Sequence, residues 1–337
     1  DPESMGTFWV NLPDFTSSIQ SLQLQRGIGT STNGSGAFGA SINISTDNIS
    51  QTPYAEISSS FGSFNTRKNT IKFSTGKIND VFEFSGRFSK IDSDGYVDRA
   101  YSDLKSYFIQ GTYLKGSTLI KAISFAGHEK TYQSWYGLTM DQLKENRRQN
   151  PYTYENEIDN YKQDHYQLHW NEKINNFWSF NLGLNYTYGR GYFEQYREDD
   201  NIDTYGGIVS SDTNLNGEKT DTTDLIRRRW LDNDFYVFNS SLNFVKNRID
   251  LTISSSYSSY VGDHFGEVIW ARTFSSNGKI RDRYYEGVGE KKDLSFFTKL
   301  LYSVDEKIEF YSDLQYRNVK YNTSGTTSDL VNMVIDK

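Results

Sequence analysis

A strict alternation of large apolar and small polar side chains is the feature that most constrains the fold of this chain. Between residues 178 and 188, Trp, Phe, Leu and Tyr at the even positions alternate with Ser, Asn, Gly and Thr at the odd positions. Because successive strand residues point to opposite faces of a sheet, this pattern predicts a strand with one apolar face. The same period recurs around residues 82–88, 165–170, 249–257 and 308–317. A buried sandwich would also alternate, but its outward face would be charged and its strands shorter.

The connections between these segments alternate between short and long. Tight polar turns are predicted near residues 78–80, 115–117, 172–176, 246–248 and 303–306, and long segments lie at 92–103, 130–161, 189–231 and 261–291. Outer-membrane barrels have short turns at one end and long loops at the other. From residue 54 onward we therefore predict about eleven strands of roughly ten residues each, the length that a tilted membrane strand needs. The predicted fold is an all-β, antiparallel up-and-down transmembrane β-barrel.

Composition agrees with a barrel and excludes several other classes of protein. The chain has 25 Tyr and 22 Phe although its mean hydropathy is −0.70, and a barrel with an apolar outer face and a wet lumen has both properties. No apolar run reaches the roughly 18 residues of a transmembrane helix. The absence of cysteine excludes disulfides, thiolate zinc sites and cysteine nucleophiles. A net charge of −7 argues against a nucleic-acid partner, which needs a basic surface.

A glycine-rich stretch carries the one tempting nucleotide motif. Residues 34–39 read G-x-G-x-x-G, but the residues after Gly39 alternate and are β-branched, so no helix begins there. Without a helix N-terminus a pyrophosphate would lose its amide donors and the helix dipole. We therefore interpret the glycines as turn-makers, and we expect neither a cofactor nor a resident metal.

The stretches at 19–27 and 37–44 resemble the end of the plug domain of TonB-dependent outer-membrane receptors. That family has a strand leading into Arg-Gly, a Gly-rich loop, and a small-Gly-small-Ile-Asn-Ile strand before the first barrel strand, here Arg26-Gly27 and residues 37–44. The resemblance implies the late part of a plug at residues 1–50 and the first half of a barrel at 51–337. It also implies that Arg26 and Gly27 form a structural lock, with Glu83 as one possible partner of the arginine. Family barrels have about twenty-two strands, so we expect a piece of a longer chain.

The resemblance implies a function in binding and gated passage rather than in covalent catalysis. We expect energy-coupled import of a bulky nutrient across the outer membrane of a Gram-negative bacterium, with a ferric siderophore as the favoured ligand. Haem, cobalamin or an oligosaccharide are the alternative ligands, and a passive porin is the alternative class. The implied partners are the inner-membrane TonB complex, whose contact site lies outside these residues, and outer-membrane lipid with lipopolysaccharide. A barrel lipase or protease would need a catalytic triad, and none is visible in the sequence.

Candidate ligand-binding residues lie in the plug and in the long segments. The resemblance places Met5, Phe8 and Trp9 near the plug apex, where they either contact ligand or pack plug against barrel. The aromatic residues Trp135, Tyr136 and Tyr196 suit flat ligands, or they pack among themselves. Three consecutive arginines close the third long segment near the membrane rim, where they either attract an anionic ferric chelate or bind lipopolysaccharide phosphates. These arginines are Arg227, Arg228 and Arg229. His165 and His169 share one face of a strand and point into the lumen, where haem ligation is the less favoured role.

Overall fold

The computed structural model describes residues 8–34, 39–213, 217–332 and 334–336. Two strands, β1 (Ile19–Arg26) and β2 (Ala40–Thr46), form a small antiparallel sheet near the N-terminus. Twelve further strands form one large sheet in chain order. They are β3 (Tyr54–Phe61), β4 (Arg67–Ser74), β5 (Phe82–Ser93), β6 (Ser102–Lys115), β7 (Thr118–Tyr132), β8 (Ile158–Lys173), β9 (Trp178–Asn201), β10 (Thr222–Lys246), β11 (Ile249–Ala271), β12 (Arg283–Ser303), β13 (Glu309–Gly325) and β14 (Ile335–Asp336). One short helix, α1 (Met140–Glu145), lies between β7 and β8.

The large sheet confirms the predicted up-and-down antiparallel topology. Each strand pairs with the next strand along the chain, and among the described residues β3 and β14 are its two edges. The eleven strands predicted after residue 54 correspond to β3–β13, and the two-residue β14 is additional. An open sheet of this kind is part of a barrel rather than a closed one.

The long segments predicted at 189–231 and 261–291 are mostly strand, so the expected length of ten residues is wrong for this half of the sheet. β9 has 24 residues and β10 has 25, and residues 202–221 alone connect them. The connection between β11 and β12 is likewise reduced to 272–282. These strands continue past the apolar band, where apolar and polar side chains no longer alternate strictly although backbone pairing persists.

The outward face of the sheet has a ring of aromatic side chains at one height. On β5, β6 and β8–β11 the ring comprises Phe88, Tyr107, Tyr166, Tyr186, Tyr236 and Tyr257, and β7 has Ala126 and Ser124 at this height. Toward the long connections, which define the upper end of the sheet, the next outward positions include Lys90, Lys105, Asp164 and Asp234. An apolar band bounded by aromatic rings is the pattern of a transmembrane barrel. No helix among the described residues is long and apolar enough to cross a membrane.

The described residues between 8 and 52, here called the N-terminal segment, lie against the inner face of the sheet. Phe15 packs its ring 5.0 Å from that of Phe125, beside the buried Phe108 and Ile123. Ser31 contacts β13 on the far side, through Asp313. Because one segment reaches both ends of the sheet, the sheet must curve around it.

A second apolar core lies at the upper end, between the extensions of β10–β12 and the connection that precedes β10. It contains the buried Tyr205, Ile208, Val209, Leu225, Val268, Ala271, Tyr284 and Tyr285. This core fixes the upper parts of the long strands, where no membrane would support them.

Candidate functional site

Asp14 fastens the N-terminal segment to the sheet. Its carboxylate is 1% exposed and accepts hydrogen bonds from Lys68, Thr70 and Ser89, while the guanidinium of Arg87 lies 3.3 Å away. Burial by itself would raise the pKa of this carboxyl, but the hydrogen bonds from Lys68, Ser17 and Ser89 and the charge of Arg87 lower it to about 2. The Asp14 carboxylate is therefore ionised and paired at neutral pH.

Further polar contacts attach the segment to the same wall and to β13. Lys72 on β4 pairs with Asp47 at 2.6 Å, and Thr46 donates to Gln110 on β6 at 3.2 Å. On the other side the backbone N–H of Ser31 donates to Asp313 at 3.0 Å. The segment is thus held by β4–β6 and by β13.

The arginine lock implied by the resemblance stays a prediction, but Glu83 is not the partner of Arg26. Arg26 lies exposed in β1 opposite Ala40, and Glu83 instead accepts hydrogen bonds from Ser50 and Ser74. Gly27 follows β1 with a φ of +83°, a conformation that favours glycine. The ion pairs of Asp14 and Asp47 with the sheet have the carboxylates on the segment and the cations on the sheet. The sequence around Asp14 did not predict that this residue attaches the segment to the sheet.

Two adjoining cavities lie at the upper end of the inner face, and together they are here called the upper cavity. One, of about 370 Å³, lies between Phe8 and Val10 of the segment and the wall residues Glu129 and Asp159. The other, of about 550 Å³, extends toward β12 and β13. Arg229, His264 and Tyr285 line both, so these side chains stand at the centre of the upper cavity.

The prediction that the three consecutive arginines close a loop at the membrane rim is wrong. They lie within β10, so their side chains alternate between the two faces of the sheet. Arg228 points outward and donates to Glu194 at 2.7 Å. Arg227 points inward but donates to the Tyr205 hydroxyl and to Gln195. Of the three arginines, Arg229 alone lines the upper cavity, and the whole cluster therefore cannot act on one ligand.

Arg229 is held between two aromatic rings. Its guanidinium carbon lies 5.6 Å from the ring centre of Phe193 and 5.5 Å from that of Tyr285, and its Nε donates to the Tyr285 hydroxyl at 3.2 Å. This fixes a permanent positive charge at the cavity wall with little side-chain freedom to lose on binding. Its planar guanidinium can donate two hydrogen bonds at once to a carboxylate, a catecholate or a phosphate.

The predicted loop aromatics pack on their neighbours and do not line the upper cavity. Trp135 packs edge-on against Phe193 at 5.3 Å, and Tyr136 stacks on Tyr152 at 5.1 Å. The Tyr196 hydroxyl donates to Asp224 at 2.9 Å. Trp135 and Tyr136 are still more than half exposed, so their outer edges remain open to contact.

The three predicted plug-apex residues have different outcomes. Phe8 lines the upper cavity at its lower boundary. Trp9 is 55% exposed and does not line that cavity. Met5 lies outside the described residues, so its predicted role stays a prediction.

Glu129, Asp159, His264 and Tyr285 line the upper cavity and were not singled out from the sequence. Glu129 is 2% exposed, and Thr131 donates to its carboxylate at 3.2 Å. Strand parity could have found it, because Glu129 follows the inward-facing Phe125 by four residues. Glu129 was not singled out because it directly precedes residues 130–161, which were expected to form a loop.

The two lumen histidines are bonded to polar neighbours on the inner face. The His165 ring stacks on Phe125 at 4.3 Å, and its Nδ1 lies 2.9 Å from the Thr187 hydroxyl. His169 shares a hydrogen bond with Gln167 at 3.2 Å. Within the described ranges, no group of three or more His, Cys, Asp or Glu side chains could hold a metal ion.

One buried carboxyl lies in the connection that precedes β8. Burial raises the pKa of Glu157 to about 7, against the opposing effects of the Tyr196 backbone N–H and the charge of Arg197. Its carboxylate accepts from that N–H at 3.2 Å and so joins the connection to β9. The contact is therefore sensitive to pH in the neutral range.

Comparisons with known proteins give structural likeness without sequence likeness. No family model and no curated protein matches the chain. The ferric-catecholate import receptor Fiu of E. coli K12, in its open form, superimposes with a TM-score of 0.71 at 11% identity, covering 93% of this chain and 51% of that one. The unliganded ferric citrate transporter FecA gives 0.67 at 12% identity, covering 95% and 45%. The ferric yersiniabactin uptake receptor FyuA of Yersinia pestis gives 0.63 at 13% identity, covering 95% and 47%.

The chain spans about half the length of the receptors that it matches. Over that half it has the fold of a TonB-dependent outer-membrane receptor, and the predicted fold class is confirmed. At such identities the likeness concerns the fold alone.

Proposed function

We propose that this chain is part of a TonB-dependent outer-membrane receptor that imports a ferric siderophore. In this proposal residues 1–50 are the late part of the plug and 51–337 the first half of the barrel. The receptor carries out gated transport, without covalent chemistry. Its partners are the inner-membrane TonB complex, reached through parts of the receptor outside these residues, and the lipid and lipopolysaccharide around the barrel.

The upper cavity is the observation that supports the proposal. Its lower boundary is formed by Phe8 of the N-terminal segment, so a ligand bound there would touch the element that must move for passage. Arg229 supplies a fixed positive charge that suits an anionic iron chelate. Glu129 and Asp159 supply acceptors for hydroxyl or amide N–H groups of the same ligand. The solved receptors of the same fold that are named above are described as receptors or transporters of ferric chelates, which favours iron over haem, cobalamin or a glycan.

Uptake by cells tests this proposal. The full-length receptor would be expressed in a strain without its own siderophore receptors, and uptake of ⁵⁵Fe would be measured with catecholate, hydroxamate and citrate chelates, with and without TonB. We expect uptake of one chelate class, and only when TonB is present. Equal uptake without TonB would support a passive porin instead. Growth rescued by haem, cobalamin or oligosaccharide, with no chelate taken up, would move the proposal to that alternative ligand.

A further inference from the structure

The aromatic ring on the outward face of the sheet has a gap at β7. There the strand carries the small side chains of Ala126 and Ser124, and below the gap Ala122 continues beside Gly111, its direct partner on β6. Larger side chains on β5, β6 and β8–β11 surround these small ones, so a mostly apolar groove of about 790 Å³ runs down the outer face. Every strand that borders the groove is paired on both sides, so the strands at the edges of the sheet do not determine its shape.

Directly above the gap, basic side chains form one row across five neighbouring strands, here called the basic row. His128 on β7 lies between Lys105 on β6 and Lys162 on β8, and the row continues to Lys90 on β5 and Arg190 on β9. All five face outward, because an even number of positions separates each from the ring height of its own strand. Like charges that lie directly opposite each other on neighbouring strands destabilise a sheet. The basic row therefore requires negative charge around it.

Carboxylates beside the basic row supply part of this charge and leave the cations exposed. Lys162 is 57% exposed while its partner Asp164 is 12% exposed, and Arg190 is 51% exposed while Asp232 is 25% exposed. On these strands the cation is thus the group that faces the surroundings, with N–H groups to donate to a phosphate. Exposed ion pairs are weak, so a phosphate can join or replace them. The pairs of the row are Lys90–Asp92, Lys90–Asp103, Lys105–Asp103, Lys162–Asp164 and Arg190–Asp232.

We propose that the groove and the basic row bind one lipopolysaccharide molecule of the outer leaflet, with acyl chains in the groove and phosphates on the row. The proposal rests on the proposed function for the position in the membrane, because an outer-membrane receptor has its long connections outside the cell. The gap in the ring lets a chain below and a headgroup above belong to the same molecule. The row crosses five strands, about 19 Å at the usual strand spacing. A lipid with several phosphates and several chains fits this width better than a phospholipid with one phosphate.

Two lysine pairs test the basic row in the full-length receptor, purified in detergent and freed of bound lipid. Native mass spectrometry would measure the Kd of purified lipopolysaccharide. Lys105→Gln combined with Lys162→Gln should raise that Kd about tenfold, because both charges adjoin the gap. The matched control is Lys292→Gln combined with Lys320→Gln, which removes two exposed outward lysines that lie opposite each other on β12 and β13, outside the groove lining. The control should bind as the unsubstituted receptor does, and equal Kd values for the two double variants would overturn the site.

A tryptophan in the groove tests the position of the acyl chains without a change of charge. Ala122 is exposed and lines the groove, so Ala122→Trp fills it from a side chain that no neighbour covers. This variant should also raise the Kd for lipopolysaccharide about tenfold, since burial of acyl CH₂ groups would be lost. Thr298→Trp, at an outward position of β12 opposite Ile253, is the control and should leave the Kd unchanged. An unchanged Kd for a folded Ala122→Trp receptor would overturn the groove as the acyl-chain site.

Three lipids identify the occupant in the same assay. Intact lipopolysaccharide should bind the unsubstituted receptor tightly, and enzymatically dephosphorylated lipopolysaccharide and phosphatidylglycerol should bind at least about tenfold more weakly. Equal binding of phosphatidylglycerol would overturn lipopolysaccharide as the occupant, and equal binding of the dephosphorylated form would overturn the role of the basic row. The assay uses purified receptor, so it is independent of transport. A receptor that binds lipopolysaccharide as described but shows no TonB-dependent uptake would overturn the import function and support this site.

Discussion

Asp14→Asn should detach the N-terminal segment more than any other single conservative change in it. Asparagine tolerates the left-handed backbone at this position, where φ is +54°, so the substitution removes charge without adding strain. It leaves Arg87, 1% exposed, as a buried cation without its counterion. Breaking a buried ion pair on one side costs about 3–5 kcal/mol. Lys68 is 34% exposed and can be hydrated, so most of the loss should come from Arg87.

The pKa of Asp14 gives an independent magnitude. A lowering from 3.8 to about 2 corresponds to about 2 kcal/mol of stability. Because the folded-state pKa lies below the unfolded one, this stability is present at neutral pH and is lost as the pH falls from 3.8 through about 2. Asp14→Asn should therefore lower the free energy of unfolding at pH 7. It should also reduce the fall in that free energy as the pH drops from 3.8 to about 2.

Urea unfolding of the full-length receptor in detergent, followed by tryptophan fluorescence and by proteolysis of the segment, measures the effect. The matched control is Asp92→Asn, which breaks the exposed pair with Lys90 and should cost less than about 1 kcal/mol. In a double variant, Arg87→Met should restore much of the stability lost by Asp14→Asn, since no buried charge then remains unpaired. A loss below about 1 kcal/mol for Asp14→Asn would refute the reasoning.

Three further changes separate the roles of the site, the segment and the connection before β8. Arg229→Ala should weaken binding of an anionic ferric chelate by about tenfold to a hundredfold, because a hydrogen bond to a charged group contributes about 1.5–3 kcal/mol; Arg228→Ala, on the outer face, should leave Kd unchanged in the same equilibrium binding assay. Gly127→Ala should lower the free energy of unfolding by about 1–3 kcal/mol, because the new Cβ would lie 2.1 Å from a backbone oxygen of the segment. The control is Gly183→Ala, whose Cβ meets no atom closer than 3.7 Å, and equal urea midpoints for the two variants would contradict this reasoning. The folded-state pKa of Glu157, about 7, lies above its ordinary value of 4.5. The connection at 133–157 should therefore lose stability as the pH rises through 7, and limited proteolysis should cut it faster. Glu157→Gln should remove that pH dependence.

The alternation of apolar and polar residues predicted most of the fold. The alternation at 178–188 correctly predicted which side chains of β9 face outward, and the short turns were located correctly because each one ends a stretch of one-sided burial. The same signal failed above the aromatic ring. There β9 and β10 continue as paired strands without a strict apolar alternation, and Arg227, Arg228 and Arg229 were interpreted as the end of a loop.

The sequence by itself determined the class of fold, the order of the strands and the face of each strand within the apolar band, because period-two burial is a local property that each strand carries in its own residues. The tertiary structure decided the contacts that cross the lumen. Asp14 meets Lys68 across 54 residues of chain, and Phe8 of the segment faces the cavity that Arg229 and Tyr285 line. Such contacts depend on how the sheet curves around the N-terminal segment, and no local pattern records that curvature.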